Sequence, residues 1–349
     1  MAAGVRRWGG AATLLPLADG GDGTLKVLQK PLGLVLRRTK ALDPLGRPMA
    51  APWGYNPKTR WAVIEMARVS GLSLLKSGEC HPLNTTSFGT GQLIRRAVQS
   101  GAKVIILGLG GSATVEGGLG ILQALGARVS VQRAGKICPL ERPATGKDLA
   151  TLVSIDVSPV NRILAGVRLR VLCDVRNPLL GKRGAARAFG PQKGATSTEV
   201  LRLERGLKRL AALARAGGKD ISKIPGTGAA GGAAGGLVGW TKAQLERGPE
   251  TIFQLIGLEK RLKPSDVVLT GEGRVDRTSW EGKALGELVR LCDRHDKPLI
   301  VFAGGVGPGG RGPGVRIVSV GDDTLSPAED MRNAPKNIQK AVFDVLRFA

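Results

Sequence analysis

Short apolar runs alternate with amphipathic stretches along most of the chain. Residues 104–107 (VIIL), 168–173 (RLRVLC), 266–270 (DVVLT), 298–303 (PLIVFA) and 315–320 (VRIVSV) are too short for helices and several are rich in β-branched residues. Runs of this kind read as strands covered on both faces, as in a parallel sheet. Between them apolar residues recur at helical spacing, most clearly over residues 197–216, whose charged face reads as solvated. The alternation predicts an α/β protein with a doubly wound sheet.

Elsewhere the pattern changes. Residues 12–17 (ATLLPL) read as an opening strand that runs into ADGGDGT at 18–24 and a helix beginning near Leu25. Residues 33–66 alternate, turn at DPLGRP over 43–48 and close on WAVIEM over 61–66, which suggests a small antiparallel unit at the entry to a second domain. Residues 85–100 predict a helix with a capped start. The stretch 225–236 (PGTGAAGGAAGG) has a linker's low complexity, yet it lacks Ser and charge and is followed by Leu237 and Val238 at helical spacing. A tightly packed small-residue helix is the reading that follows.

Residues 103–126 (KVIILGLGGSATVEGGLGILQALG) organise the rest, passing from a buried strand through a glycine loop into a helix. Glycines leave backbone N–H groups free to approach an anion, and a helix N-terminus adds its positive dipole end. Gly110, Gly111, Ser112 and Thr114 are therefore candidate phosphate or carboxylate ligands. The pattern GxxxxGK[ST] is absent, and Gly108-x-Gly110-x-x-Ala113 fits a dinucleotide fingerprint only loosely, with no acidic residue about 20 positions on to take a ribose.

Composition narrows the function. The chain has 349 residues, 42% of them hydrophobic, enough for two globular domains; Gly numbers 52 and aromatics are 3%, so loops are set by backbone and the core by aliphatics. The net charge of +24 raises nucleic acid as a partner, but the basic residues are scattered singly and in pairs and stacking aromatics are scarce, so acidic small substrates are preferred. Cys80, Cys138, Cys173 and Cys292 lie far apart without a CxxC pair, which fits a reducing cytoplasm and argues against a zinc site. With His81 and His295 the only histidines, the sequence argues against a histidine-based triad or metal cage. No apolar run approaches the roughly 20 residues that span a bilayer.

Further polar loops follow predicted strands: Asp174 with Asn177, the segment 190–194 with Lys193, and 271–276 with Glu272, Arg274 and Asp276. Carboxylates at strand ends suit Mg²⁺-dependent phosphoryl transfer, because Mg²⁺ takes one or two carboxylates with phosphate oxygens and water. A lysine adds charge for the moving phosphoryl group, and an Asp can accept the proton of an attacking hydroxyl.

ADGGDGT (18–24), GLGGSATVEGGLGILQALGA (108–127), CDVRNPLLGKRGAARAFGPQKGAT (173–196), PGTGAAGG (225–232) and LTGEGRVD (269–276) resemble, in order, the signature blocks of the bacterial type I glycerate kinases. The resemblance runs from about residue 14 to the C-terminus. It implies ATP-dependent, Mg²⁺-assisted phosphorylation of D-glycerate, typically to 2-phosphoglycerate, in organic-acid metabolism. It also implies a discontinuous flavodoxin-like, Rossmann-like parallel-sheet domain (1–40 and 262–349), an inserted α/β domain with antiparallel strands (41–261), and a site in the cleft between them. Asp174, Lys193 and Asp276 are then the expected catalytic residues. Asp19, Asp22, Gly110, Gly111, Ser112, Thr114, Asn177 and Arg274 are expected to bind substrate or phosphate, and Glu272 and Asp276 the metal.

The chain departs from the family pattern in two places. The family's opening strand and APDSFKG-like loop have no counterpart before residue 12, so the run 12–17 is expected to expose a sheet edge through which the chain could aggregate or form a homodimer. Val115 and Glu116 stand where Asn and Asp are usual. A kinase for another small hydroxy acid and an inactive nucleotide- or anion-binding homologue fit the same residues.

Overall fold

The computed structural model describes residues 1–280, 284–310, 312, 314–322 and 324–347. The chain forms two compact units, Ala18–Ile252 and the combination of Met1–Leu17 with Phe253–Ala349. Its strands, in chain order, are β1 (Val35–Leu42), β2 (Pro48–Asn56), β3 (Trp61–Glu65), β4 (Val104–Gly108), β5 (Arg128–Arg133), β6 (Lys136–Pro139), β7 (Leu152–Asp156), β8 (Arg168–Cys173), β9 (Gln244–Arg247), β10 (Val268–Val275), β11 (Leu299–Val306) and β12 (Arg316–Ser319).

The larger unit is built on a six-stranded sheet in the order β1-β2-β3-β4-β8-β9. Its first two pairings are antiparallel and the other three parallel. The antiparallel segment expected over 33–66 is therefore the margin of the main sheet rather than a separate unit: β3, its last strand, pairs in parallel with β4. The turn between β1 and β2 forms because the Asp43 carboxylate accepts from the Leu45 and Arg47 N–H groups, both at 2.8 Å. Ile64, Ile105, Leu107, Leu169 and Val171 line the core with Leu93 and Ile94 of the helix Phe88–Gln99. Fully burying such a side chain is worth about 1.5–3 kcal/mol.

Between β4 and β8 the chain makes a small antiparallel sheet, β6-β5-β7. It has its own core, in which Val129, Val131 and Leu152 meet Leu203, Leu207 and Leu210 of the helix Ser197–Ala216. That helix starts at a capping box, Thr196 accepting from the Glu199 N–H while the Glu199 carboxylate accepts from the Thr196 N–H.

In the smaller unit β10, β11 and β12 are parallel neighbours. Ile300 and Phe302 pack on Val342, Val345 and Leu346 of the helix Pro327–Arg347. A helix that the pattern did not predict, Ala2–Trp8, lies against the same long helix; a Cβ added at Gly4 would stand 2.8 Å from Cβ of Val342.

The strand expected over residues 12–17 does not form. Leu14 is 68% exposed and the segment has no ladder partner among the described residues. Pro16 also removes a backbone donor from the run. The exposed strand edge invoked for this segment is accordingly absent.

The small-residue helix over 225–236 begins later than its composition suggested, at Ala233, and runs to Trp240. Ahead of it Ala230, Gly231 and Gly232 take left-handed backbone conformations. The cause is close backbone packing: a Cβ at Gly231 would fall 1.9 Å from the carbonyl oxygen of Thr114. Gly231→Ala should therefore lower unfolding stability by about 2 kcal/mol or more, through both the clash and the positive φ, read as the shift of the urea midpoint at constant slope.

Candidate active site

Within the larger unit, three parallel strands end side by side and each delivers polar groups at its C-terminal end, where open α/β sheets bind ligands. β3 ends at Glu65, β4 leads into the loop 109–118, and β8 leads into Asp174 and Asn177. Glu65, 1% exposed, accepts from the Leu25 N–H at 2.8 Å and lies 3.3 Å from the Arg68 guanidinium, whose Nε is also 3.7 Å from Asp22. Burial pushes the Glu65 carboxyl up from its usual value, against the pull of the Leu25 N–H and Arg68.

These contacts tie the loop 18–23 to the end of β3. The same loop lies on β4's glycines: a Cβ at Gly110 would come within 2.5 Å of the Gly21 Cα, and one at Gly108 within 2.5 Å of the Gly20 oxygen. The Asp19 carboxylate accepts from the Gly21 N–H at 2.9 Å, folding the loop on itself.

Lys193 is the centre of this arrangement. It is 3% exposed, and its ammonium donates to the Ser112 Oγ and the Thr114 carbonyl, each at 2.8 Å. Burial pushes its pKa down to about 7, while the nearby Glu116 carboxylate opposes the shift. Glu116 is itself completely buried and is pushed up to about 7 by the loss of water, although hydrogen bonds from Ser87 and from the backbone of Gly118, Leu119 and Gly120 favour its charged form. Its Oε2 accepts from the Gly120 N–H at 2.8 Å. Its Oε1 and the Thr114 Oγ1 are buried without a hydrogen-bond partner among the described residues.

The structure thus brings Asp19, Asp22, Gly110, Gly111, Ser112, Thr114 and Lys193 into one neighbourhood. Asp174 follows β8, the strand paired with β4. Asn177 spends its amide on the loop, donating to the Arg183 carbonyl at 2.7 Å. Glu272, Arg274 and Asp276 belong to the smaller unit. There the expected loop is corrected: Glu272 and Arg274 lie inside β10, paired with Ala303 and Gly305 of β11. Asp276 caps the turn after it, its Oδ1 accepting from the Thr278 N–H at 2.8 Å and the Thr278 Oγ1 at 2.7 Å.

The motifs did not assign Glu65, Arg68 or a charge-setting role for Glu116. An acid closing the apolar run WAVIE was the available signal for Glu65; the burial of Glu116 depends on contacts remote in sequence.

The glycerate kinase family profile matches residues 1–349. The chain belongs to the glycerate kinase family. It is 39% identical over 297 residues to a glycerate kinase of Halalkalibacterium halodurans, covering 85% of this chain and 77% of that one. It is 40% identical over 291 residues to the glycerate 2-kinase of Escherichia coli K12, covering 83% and 75% respectively. A crystal structure from Salmonella typhimurium LT2, described as a glycerate kinase 2, matches with a TM-score of 0.81 at 38% identity, over 98% of this chain and 90% of that one. The mixed α/β architecture expected from the sequence is that of the family. Among the described residues no helix is long and apolar enough to cross a membrane.

For this family member the buried lysine makes a pH-dependent prediction. A group whose folded pKa is lowered to about 7 carries its charge below that value and loses it above. Sulfate, which does not titrate in this range, should bind roughly tenfold more weakly at about pH 8.5 than at about pH 6, and Lys193→Met should flatten that dependence; calorimetric titration at both pH values measures it.

Proposed function

We propose that the protein transfers the terminal phosphoryl group of ATP to D-glycerate, giving 2-phosphoglycerate and ADP. The observation that carries this reading is the buried Lys193 ammonium fixed by Ser112 and Thr114 on a glycine loop at the C-terminal end of β4. A preorganised cation in a water-poor site stabilises the charge of a phosphoryl group in transit without having to reorganise solvent. Family membership supports the substrate, since the relatives are named for glycerate.

In the reaction a glycerate hydroxyl oxygen forms the new P–O bond as the bond to the ADP oxygen breaks, and the hydroxyl proton passes to a carboxylate. Asp174 is assigned that acceptor role, standing at the end of a strand adjacent to the cradle. Gly110, Gly111, Ser112 and Thr114 orient phosphate oxygens through backbone and hydroxyl donors. Asp19 and Asp22 fix the facing loop, and Arg274 binds the glycerate carboxylate by its planar fork of donors.

Mg²⁺ fits the available donors as a substrate-assisted ion rather than a caged one. Among the described residues no group of three or more His, Cys, Asp or Glu side chains could hold a metal, and a hard cation shared with phosphates and water needs only one or two carboxylates. One or both of Glu272 and Asp276 would hold it, directly or through water, and it would supply neutralisation of phosphate charge.

Two measurements test the reading. With ATP and Mg²⁺, a coupled assay should record ADP formation that depends on D-glycerate, and ³¹P spectra should show 2-phosphoglycerate. ADP released only with a different hydroxy acid, or with none, overturns the assignment. Asp276→Asn should lower turnover by about tenfold or more and shift the Mg²⁺ dependence upward at an unchanged melting temperature. An unaltered rate and Mg²⁺ curve would remove Asp276 from the metal site.

A further inference from the structure

The cradle occupies the C-terminal ends of the parallel strands; a groove of about 600 Å³ lies at the opposite ends of the same strands. Trp61, Lys103, Gly166, Arg168, Lys242 and Gln244 line it. The sheet fixes their placement. Trp61, the first residue of β3, is in register with Val104 of β4, and Val104 with Arg168, the first residue of β8. Residues in register on neighbouring strands share a face, so Trp61 and Arg168 point the same way at roughly 10 Å, two strand spacings apart. The Lys103 ammonium lies over Gly166, 3.6 Å from where a Cβ would stand.

The charges here are only partly balanced: the Glu246 carboxylate acts electrostatically on Arg168. Among the described residues the side chains of Lys103, Arg168 and Lys242 form no ion pair and no hydrogen bond. The acid nearest in the sheet, Glu246, is held by Arg170 at 2.7 and 2.6 Å and by the Thr251 hydroxyl at 3.0 Å. Arg170 in turn lies over the Trp61 ring, 5.7 Å from its centroid, and this fixes the ring at the groove wall. Three cationic heads around one concavity repel one another, and an anion between them relieves that repulsion.

We propose that this groove binds a small polyanion carrying two or more phosphate or carboxylate groups, held by Lys103, Arg168 and Lys242 beside the Trp61 ring. The volume suits a metabolite-sized ligand. The site is separate from the cradle, because the five residues of β4 put roughly 13 Å between its two ends at about 3.3 Å per residue. The proposal does not depend on the reaction assigned above.

The test titrates the full chain with sodium tripolyphosphate and, separately, with citrate, reading the ligand-induced change in tryptophan fluorescence that is lost in Trp61→Phe while the other four tryptophans remain. A saturable Trp61 signal with either anion supports the site, and the tighter of the two tells whether phosphate or carboxylate is preferred. The double variant Lys103→Gln/Lys242→Gln should bind roughly tenfold more weakly or worse, while Lys103→Arg/Lys242→Arg should retain affinity. No Trp61-dependent change with either anion, or equal affinity in the Gln variant at a matched melting temperature, overturns it.

Discussion

The site depends on a lysine ammonium removed from water by the loop that it braces. Stripping an ammonium of solvent costs several kcal/mol even after relaxation, so Lys193 stays in place only because Ser112 and Thr114 accept its hydrogen bonds and Glu116 lies close enough to act on it electrostatically. The bond to the Thr114 carbonyl orients the backbone just before the left-handed pair Gly117 and Gly118, from which the helix Leu119–Ala124 starts. Removing the lysine would take the donor from two acceptors and leave the buried Glu116 carboxyl without its nearby cation. The loop, the helix start and the ammonium form one cooperative unit.

Backbone proximity is the second constraint. The loop 18–23 reaches the end of β4 only because Gly108 and Gly110 present no Cβ, and the segment 228–232 reaches the loop 109–118 that follows β4 only because Gly231 presents none. Three remote segments converge through main-chain atoms. Position is thereby set by peptide geometry, which is stiffer than a contact between side chains.

The fold was legible wherever burial wrote a continuous apolar run: β4, β8 and β11 lie where the pattern put them. It was illegible where strands are short and polar. β5, β6 and β9 carry Arg, Lys, Gln and Glu because each has a face in solvent, so neither period stands out. Residues 12–17 show the converse: an apolar run with a proline and no partner does not make a strand. Gly271 and Gly273 read as loop residues, yet the chain stays extended through them, and the absence of a Cβ on the neighbouring strand at Gly304 lets β11 come close to the Gly273 carbonyl. At the site, the residue types around the cradle were readable from motifs. The bond between Lys193 and Ser112 spans 81 residues and is a product of tertiary packing alone.

The backbone contacts at the cradle also confine how its chemistry can drift. A side chain added at Gly108, Gly110 or Gly231 meets main-chain atoms rather than a ligand, so these positions offer no route to a new specificity. Change is open only where the loop already carries side chains, at Leu109, Ser112, Ala113, Thr114, Val115 and Glu116. All six are buried, so a new side chain at any of them must be matched by a change in the partners packed around it, and the cradle can drift only in concert with its core.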